Sequence, residues 1–274
     1  MQLQCAPACQ SCHLLSFDAR CPFDRDAPSI WKPGDLNAMF ERLTTDPYYV
    51  EQYSPTILSR PRPNENNTQE DDGPWLVVLE NVATPEDCER MIQLGSDRGY
   101  EQSQDVGAKK FDGTYDGKVS QGRTSSNTWC LDECWEDDAS TRIHDAMENI
   151  TGIPRENYEY LQLLQYQEGQ FYNAHHDFIE FHRERPQHVR ALTVFLYLNT
   201  VPAGGGTRFT DLNITVEAKQ GRAVVWPSVL DSDPTRKDPR THHEALSVEK
   251  GIKYGANAWV HLRDFKTPFE SRCT

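Results

Sequence analysis

Ala191-Leu192-Thr193-Val194-Phe195-Leu196-Tyr197-Leu198 is an apolar run followed closely by the turn-forming Ala203-Gly204-Gly205-Gly206. Rich in branched and aromatic side chains and too short for an ordinary helix, it reads as a strand. Similar short runs follow Pro154 throughout: Tyr160 to Tyr166, Ile214 to Val216, Arg222 to Trp226, Glu244 to Val248 and Tyr254 to Leu262. Turn signals such as Lys219-Gln220-Gly221 separate them, so the second half of the chain is expected to be all-β.

Upstream the pattern changes. Trp75-Leu76-Val77-Val78-Leu79 reads as a buried strand. Thr84-Pro85-Glu86-Asp87 then supplies an N-cap, a proline at the first helical position and acids in the first turn. The helix carries Cys88, Met91, Ile92 and Leu94 on one side and is expected to end near Gly95 or Gly99. A second helix is expected from about Ala139 to Thr151, with Ile143, Ala146, Met147 and Ile150 at helical spacing. Residues 105–128 are rich in Gly, Lys and Ser and read as a loop ending in Arg123-Thr124-Ser125. Residues 22–73 read as a linker with one short helix, Asp35 to Thr44, and the compact domain is expected to begin at Pro74. Helices first and many short strands later predict an α+β protein whose C-terminal part is a sandwich or jelly roll.

Charge and cysteines narrow the class. Of 274 residues, 28 are Lys or Arg and 42 are Asp or Glu, a net charge of −14. Nucleic-acid and anionic-membrane partners need a basic footprint and are disfavoured. No apolar run reaches the roughly 18 residues needed to span a bilayer. Cys5-x3-Cys9-x2-Cys12, with Cys21, has disulfide-module spacing, and Cys130-x3-Cys134 is a second close pair, read as a local disulfide in preference to zinc. Three glycosylation sequons begin at Asn66 (as Asn66-Asn67-Thr68), Asn149 and Asn213, although chance alone supplies about one or two. The cysteines favour an oxidising compartment, with any signal or anchor expected to precede Met1. Cys88 reads as helix packing, Trp129 and Trp135 as packing beside the cysteine pair, and Cys273 as free or paired. His182 and His188, in a charged stretch around Arg183-Glu184-Arg185-Pro186, read as an exposed loop over the barrel mouth.

The chemistry-bearing residues lie between the strands. His175 and Asp177 are two apart, so on a strand they face one side while His176 faces away. With a distant histidine from His242-His243, they offer two imidazoles and a carboxylate, the donor set of a facial triad for Fe(II). Lys253 follows His243 by ten residues in a strand-like stretch. A buried lysine in a small barrel is costly unless it meets an anion, and a dicarboxylate bound to iron at one end presents such an anion at the other.

Five blocks in order carry a resemblance. They are Tyr166-x2-Gly169-x2-Tyr172-x2-His175-x-Asp177, Arg190-x2-Thr193-x2-Leu196-Tyr197-Leu198-Asn199, Gly204-Gly205-Gly206-Thr207-x-Phe209, Lys219-x-Gly221-x-Ala223-x2-Trp226, and His243-x7-Gly251-x-Lys253-Tyr254-x2-Asn257-x-Trp259. The series resembles the catalytic domain of prolyl 4-hydroxylases, Fe(II)/2-oxoglutarate dioxygenases acting on peptidyl proline. The resemblance covers roughly residues 74–268, within an assigned catalytic domain of 74–274 and a core of 158–264. It implies a double-stranded β-helix, or jelly roll, with supporting N-terminal helices. It further implies Fe(II), 2-oxoglutarate, O2 and ascorbate as cofactors, a proline-containing polypeptide as partner, and a place in the endoplasmic reticulum or secretory pathway. His175, Asp177 and His243 would be the iron ligands, His243 being preferred to His242 by its register with Gly251 and Lys253. Lys253 would bind the distal carboxylate of 2-oxoglutarate, with Tyr166 and Thr207 as hydrogen-bonding partners. Arg190, Tyr172 and Trp259 would lie at the active-site mouth near the peptide, and Arg123 on the substrate-covering side. Residues 1–21 resemble the closing end of a ShK-toxin-like cysteine module. Two other readings stand beside this one: a 2-oxoglutarate hydroxylase of lysine or a small molecule, and a non-catalytic β-sandwich binding module.

Overall fold

The computed structural model describes residues 16–61, 73–110 and 115–274. Its centre is an eight-stranded antiparallel sheet in the order 56–59, 76–79, 223–227, 190–197, 253–261, 162–166, 126–129 and 101–102. A four-stranded antiparallel sheet, in the order 214–216, 207–209, 243–245 and 172–175, completes the double-stranded β-helix. The fold is α+β, as expected.

The opening run explains the layering. It forms the strand Arg190–Tyr197, whose Leu192, Val194 and Leu196 join one hydrophobic core while Phe195 and Tyr197 join another. The first core lies under the helices and includes Phe40, Leu43, Met91, Ile143 and Met147. The second holds Phe209 and Val216 of the small sheet against Val224 and Trp226 of the large one. A strand covered on both faces needs apolar residues at both parities, which is why the run shows no polar alternation. Each fully buried Leu, Val or Phe contributes about 1.5–3 kcal/mol.

The helices carry the predicted signals. Pro85–Arg98 is capped by Thr84, whose hydroxyl accepts from Asp87 N at 3.1 Å, and it stops at Gly99 with φ +86°. Gly95 lies inside it because a Cβ there would collide with Tyr100. Asp138–Thr151 is capped by Asp137 and ends at left-handed Gly152.

Several boundaries differ from expectation. The segment read as a linker holds the helices Asp35–Thr45 and Pro47–Tyr53, and Thr56–Ser59 is an edge strand of the large sheet. Leu36, Met39, Phe40 and Leu43 are buried, and Phe40 stacks on Trp75 at 5.2 Å. The fold therefore begins before Pro74, its signal diluted by the polar residues that surround this helical pair. Residues 105–128 contain the hairpin Asp105–Lys109 with Tyr115–Lys118, and Ser126–Trp129 enters the large sheet. The hairpin is largely exposed, so it carries no alternation to read. The run Glu244–Val248 splits: His243–Ala245 belongs to the small sheet and Val248–Lys250 pairs with Ala203–Gly204. Cys21 is bonded to Cys273, away from the N-terminal cluster, while Cys130 and Cys134 are bonded to each other. Cys5, Cys9, Cys12 and the sequon at Asn66 lie outside the described residues. Cys88 is a buried free thiol, pushed up to about 11 by desolvation. Among the described residues no helix is long and apolar enough to cross a membrane.

Candidate metal centre and its pocket

The pairing of the small sheet brings the first donors together. His175 ends one strand, His243 begins its neighbour, and the two are directly opposed, with ring centroids 4.3 Å apart. Asp177 follows two residues after His175, and its Oδ2 lies 3.7 Å from His243 Nε2. One ligand atom from each of the three residues lies within 4.8 Å of the others.

Each donor is aimed by a second contact. His175 Nδ1 sits 2.9 Å from the Asn173 carbonyl and His243 Nδ1 3.0 Å from that of Thr241. A ring nitrogen donating to a carbonyl leaves the opposite nitrogen with a lone pair for a metal. Thr193, from the long central strand, donates its hydroxyl to Asp177 Oδ2 at 2.6 Å. Burial, then the neighbouring His243, pushes the His175 imidazole down to about 3, keeping it neutral. Burial acts upward on Asp177, but His243, His175 and the Thr193 hydroxyl together hold its carboxyl below the usual range. Two imidazoles and one carboxylate, held by backbone and hydroxyl partners, fit Fe(II).

His176, just past the end of the strand Tyr172–His175, is held outside the donor cluster. Its Nε2 lies 2.8 Å from the Asp238 carbonyl and its Nδ1 accepts from Phe178 N. His242 also faces away, 3.4 Å from Asp211, so the histidine chosen by register is the one in the cluster.

The three donors line a cavity of about 400 Å³ that also contains Lys253, Tyr166 and Thr207. Lys253 is fully buried and its Nζ has no hydrogen-bond partner among the described residues. The rings of Tyr166, Phe195 and Tyr197 surround it at 5.1, 5.2 and 5.4 Å. Desolvation pushes its ammonium down to about 7, against a smaller opposing effect of Glu217. A buried cation without a partner is a site waiting for an anion, and a carboxylate of 2-oxoglutarate fits it. Tyr166 pairs across the sheet with Lys253, and Thr207 accepts a hydrogen bond from Tyr197 at 2.7 Å.

The three residues expected at the mouth, Arg190, Tyr172 and Trp259, also line the cavity, as does Arg123 from the substrate-covering side. Arg123 donates to the Gln104 carbonyl and to Gln162 Oε1, both at 3.1 Å, and lies 4.6 Å from the centre of the Tyr172 ring. Tyr172 stacks on His175 at 3.6 Å and donates to Asp105 at 3.0 Å. Arg190 lies 3.6 Å from the centre of the Trp259 ring and is gripped by both carboxylate oxygens of Glu159, at 2.5 and 3.0 Å.

Glu159 is a residue that sequence reasoning missed. It also meets His261 Nε2 at 2.8 Å. Its partners stand 31 and 102 residues away, so no local spacing announces it. Burial alone would raise its carboxyl, but Arg190 and His261 pull it well below the usual range. His261 had a signal: it follows Trp259 by two on a strand and shares its face. Trp129, read as packing, lines the cavity and sits 6.1 Å from Trp259. The stretch read as an exposed loop is instead folded down: His182, Arg185 and Gln187 are buried. Arg185 lies 3.6 Å from the centre of the Phe17 ring, and His182 packs on His261 at 5.5 Å. Its charges suggested solvent, but Arg183 and Arg185 lie over the rings of Phe178 and Phe17, and Glu184 is the charge that stays exposed.

A histidine–carboxylate–histidine cluster facing a buried cation inside a double-stranded β-helix defines a class, the 2-oxoglutarate-dependent iron oxygenases. The profile of the 2OG-Fe(II) oxygenase superfamily matches residues 161–261. The chain is 31% identical to prolyl 4-hydroxylase 5 of Arabidopsis thaliana over 212 residues, covering 70% of each protein. It is 29% identical to prolyl 4-hydroxylase subunit alpha-2 of Gallus gallus over 222 residues, 79% of this chain and 39% of that one. Its fold is similar to that of a viral collagen prolyl hydroxylase from Paramecium bursaria Chlorella virus-1, solved as a 2OG complex. The TM-score is 0.54 at 21% identity, covering 68% of this chain and 95% of the other. The protein belongs to the prolyl 4-hydroxylase family of 2OG-Fe(II) oxygenases.

Proposed function

We propose that this protein converts peptidyl proline to 4-hydroxyproline, consuming 2-oxoglutarate and O2 and releasing succinate and CO2. The observation that carries this reading is Lys253 Nζ, buried and without a hydrogen-bond partner among the described residues, in the same cavity as the His175–Asp177–His243 cluster. Those three residues would hold Fe(II), which when bound supplies the activation of O2 that side chains alone lack.

The remaining work belongs to the chain. Lys253 neutralises the far carboxylate of 2-oxoglutarate and so sets which end of the dicarboxylate faces the donors. Tyr166 and Thr207 line that end and add hydroxyls. Thr193 keeps the Asp177 carboxylate oriented, and the carbonyls of Asn173 and Thr241 hold the two imidazoles in one tautomer. The aromatic walls exclude water from the reacting atoms. Arg190 and Trp259, braced by Glu159, together with Tyr172 and Arg123, are the surfaces on which the polypeptide rests.

Ascorbate is assigned as the reductant that restores Fe(II), on the strength of family membership. A secretory-pathway location is supported by the two disulfides, Cys21–Cys273 and Cys130–Cys134. The deciding experiment incubates the iron-loaded protein with 2-oxoglutarate and collagen-like or hydroxyproline-glycoprotein-like peptides, followed by mass spectrometry. One added oxygen on proline with matching succinate is the expected result. Succinate without an oxidised peptide transfers the protein to another substrate, and absence of succinate removes the catalytic reading.

A further inference from the structure

The catalytic cavity has a neighbour. A second cavity of about 390 Å³ shares Tyr115, Trp129 and Arg190 with it. Half of its remaining walls are apolar, Tyr160, Phe181, Phe265, Phe269 and Leu131, and the other half are polar, with Glu159 and Arg185 among them. These rings are already braced by one another. Tyr115 stacks on Phe181 at 3.8 Å, Tyr160 meets Phe269 at 5.1 Å, and Phe265 stacks on Phe269 at 5.5 Å. Phe269 remains 37% exposed, an apolar face at the surface of this cavity. The aromatic part of this lining is not consumed by the chemistry assigned to the first cavity, and Tyr115, Trp129 and Arg190 are walls common to both.

We propose that the second cavity is a substrate subsite taking a ring-bearing residue, proline foremost, three positions from the hydroxylated proline on the same polypeptide. The inference rests on peptidyl proline hydroxylation at the first cavity. A proline-rich chain in polyproline II conformation repeats every three residues and rises about 3.1 Å per residue. Residues three apart therefore share a face at about 9 Å separation, so one chain can present a residue to each of two cavities that share walls. Aromatic-lined grooves accept such chains because the ring packs on aromatic faces while the preformed conformation limits ordering cost. Among the charged walls, the carboxylate of Glu159 is already paired to Arg190, and Arg185 adds a second guanidinium, so the balance opposes a cationic side chain there.

The test uses four peptides of equal length with one central proline. The first has alanine three residues to each side; the second and third carry proline at one of those positions; the fourth is proline-free outside the target, with glycine there. The expected result is a kcat/KM roughly tenfold higher for one of the two proline-flanked peptides. Phe269→Ala and, separately, Leu131→Ala should reduce that preference to less than about twofold, while turnover of a tripeptide filling only the first cavity stays unchanged. Equal turnover of all four peptides by the unmodified protein, or a preference that survives both substitutions, overturns the subsite alone. Absence of hydroxylation on every peptide overturns peptidyl proline hydroxylation, and the subsite with it.

Discussion

His175 and His243 stand directly opposite one another on paired antiparallel strands, so the register of the small sheet, not a loop, sets the distance between the two imidazoles. Sites built on strands hold their geometry better than sites built on loops. The carboxylate is tied to the other sheet through Thr193. The donor set therefore bridges both sheets, and its integrity reports on their packing.

Removing a donor should empty the centre. His175→Ala, Asp177→Ala and His243→Ala are each expected to abolish succinate formation and to lose stoichiometric iron, measured by elemental mass spectrometry on the purified variants. Thr193→Val should retain iron but weaken its binding about 10- to 100-fold, because only the aiming hydrogen bond is gone. Full activity in Asp177→Ala would rule out the assigned ligand set.

Lys253→Met separates binding from stability. The charge-assisted contact to the dicarboxylate is worth about 1.5–3 kcal/mol, so the 2-oxoglutarate requirement should rise about 10- to 150-fold. The same change removes a buried unpartnered ammonium, so the ligand-free protein should melt at a higher temperature than the unmodified one. Thermal unfolding with and without 2-oxoglutarate reads both effects. A variant with unchanged 2-oxoglutarate dependence removes Lys253 from the site.

The same lysine predicts a proton coupling. Burial lowers its folded-state value to about 7, below the ordinary 10.5, so between these limits the unfolded chain binds the extra proton. Its contribution to ligand-free stability therefore rises with pH across that window. A bound carboxylate favours the ammonium and pulls the value back up. Binding 2-oxoglutarate above about pH 7 should take up a proton, and affinity should fall as pH rises further. Calorimetry in buffers of different ionisation enthalpy measures the uptake. It should approach one proton near pH 8.5, be small at pH 6, and vanish in Lys253→Met.

Glu159→Gln tests the bracing of the mouth. Glu159 is buried and holds Arg190 and His261 together. Breaking one partner out of a buried pair costs about 3–5 kcal/mol, and the melting temperature should drop by roughly 6–20 °C. Where the protein remains folded, KM for the peptide should rise while 2-oxoglutarate consumption without peptide stays level. Loss of that basal consumption would place Glu159 in the iron chemistry instead.

The parts of this architecture visible in the chain were those with a short-range period. The strand at Arg190–Tyr197, the cap at Thr84 and the two-residue step from His175 to Asp177 are all written in local sequence, and the structure carries each of them. His243, and not its neighbour His242, lies in the donor cluster with His175 and Asp177. Pairings across long stretches were not visible. The Glu159–Arg190–His261 triad and the Cys21–Cys273 bond depend on where the sheets bring distant residues, and neither leaves a mark on its neighbours. The stretch from Phe181 to His188 misled for a different reason. Its charge suggests solvent, yet guanidinium and imidazole groups pack well on rings, so polarity there reported composition and not exposure.

Cys21 and Cys273 lie 252 positions apart in sequence with their Cα atoms 5.5 Å apart. Mechanically this makes a closed loop of nearly the whole described fold. A pull applied to the chain outside the two cysteines runs through the sulfur–sulfur bond and bypasses both sheets. The jelly roll and its iron ligands are thus shielded from tension in a way that hydrogen-bonded strands alone would not provide. Reduction of that one bond would place the edge strand Thr56–Ser59 and the strand Lys253–His261 in the path of the force.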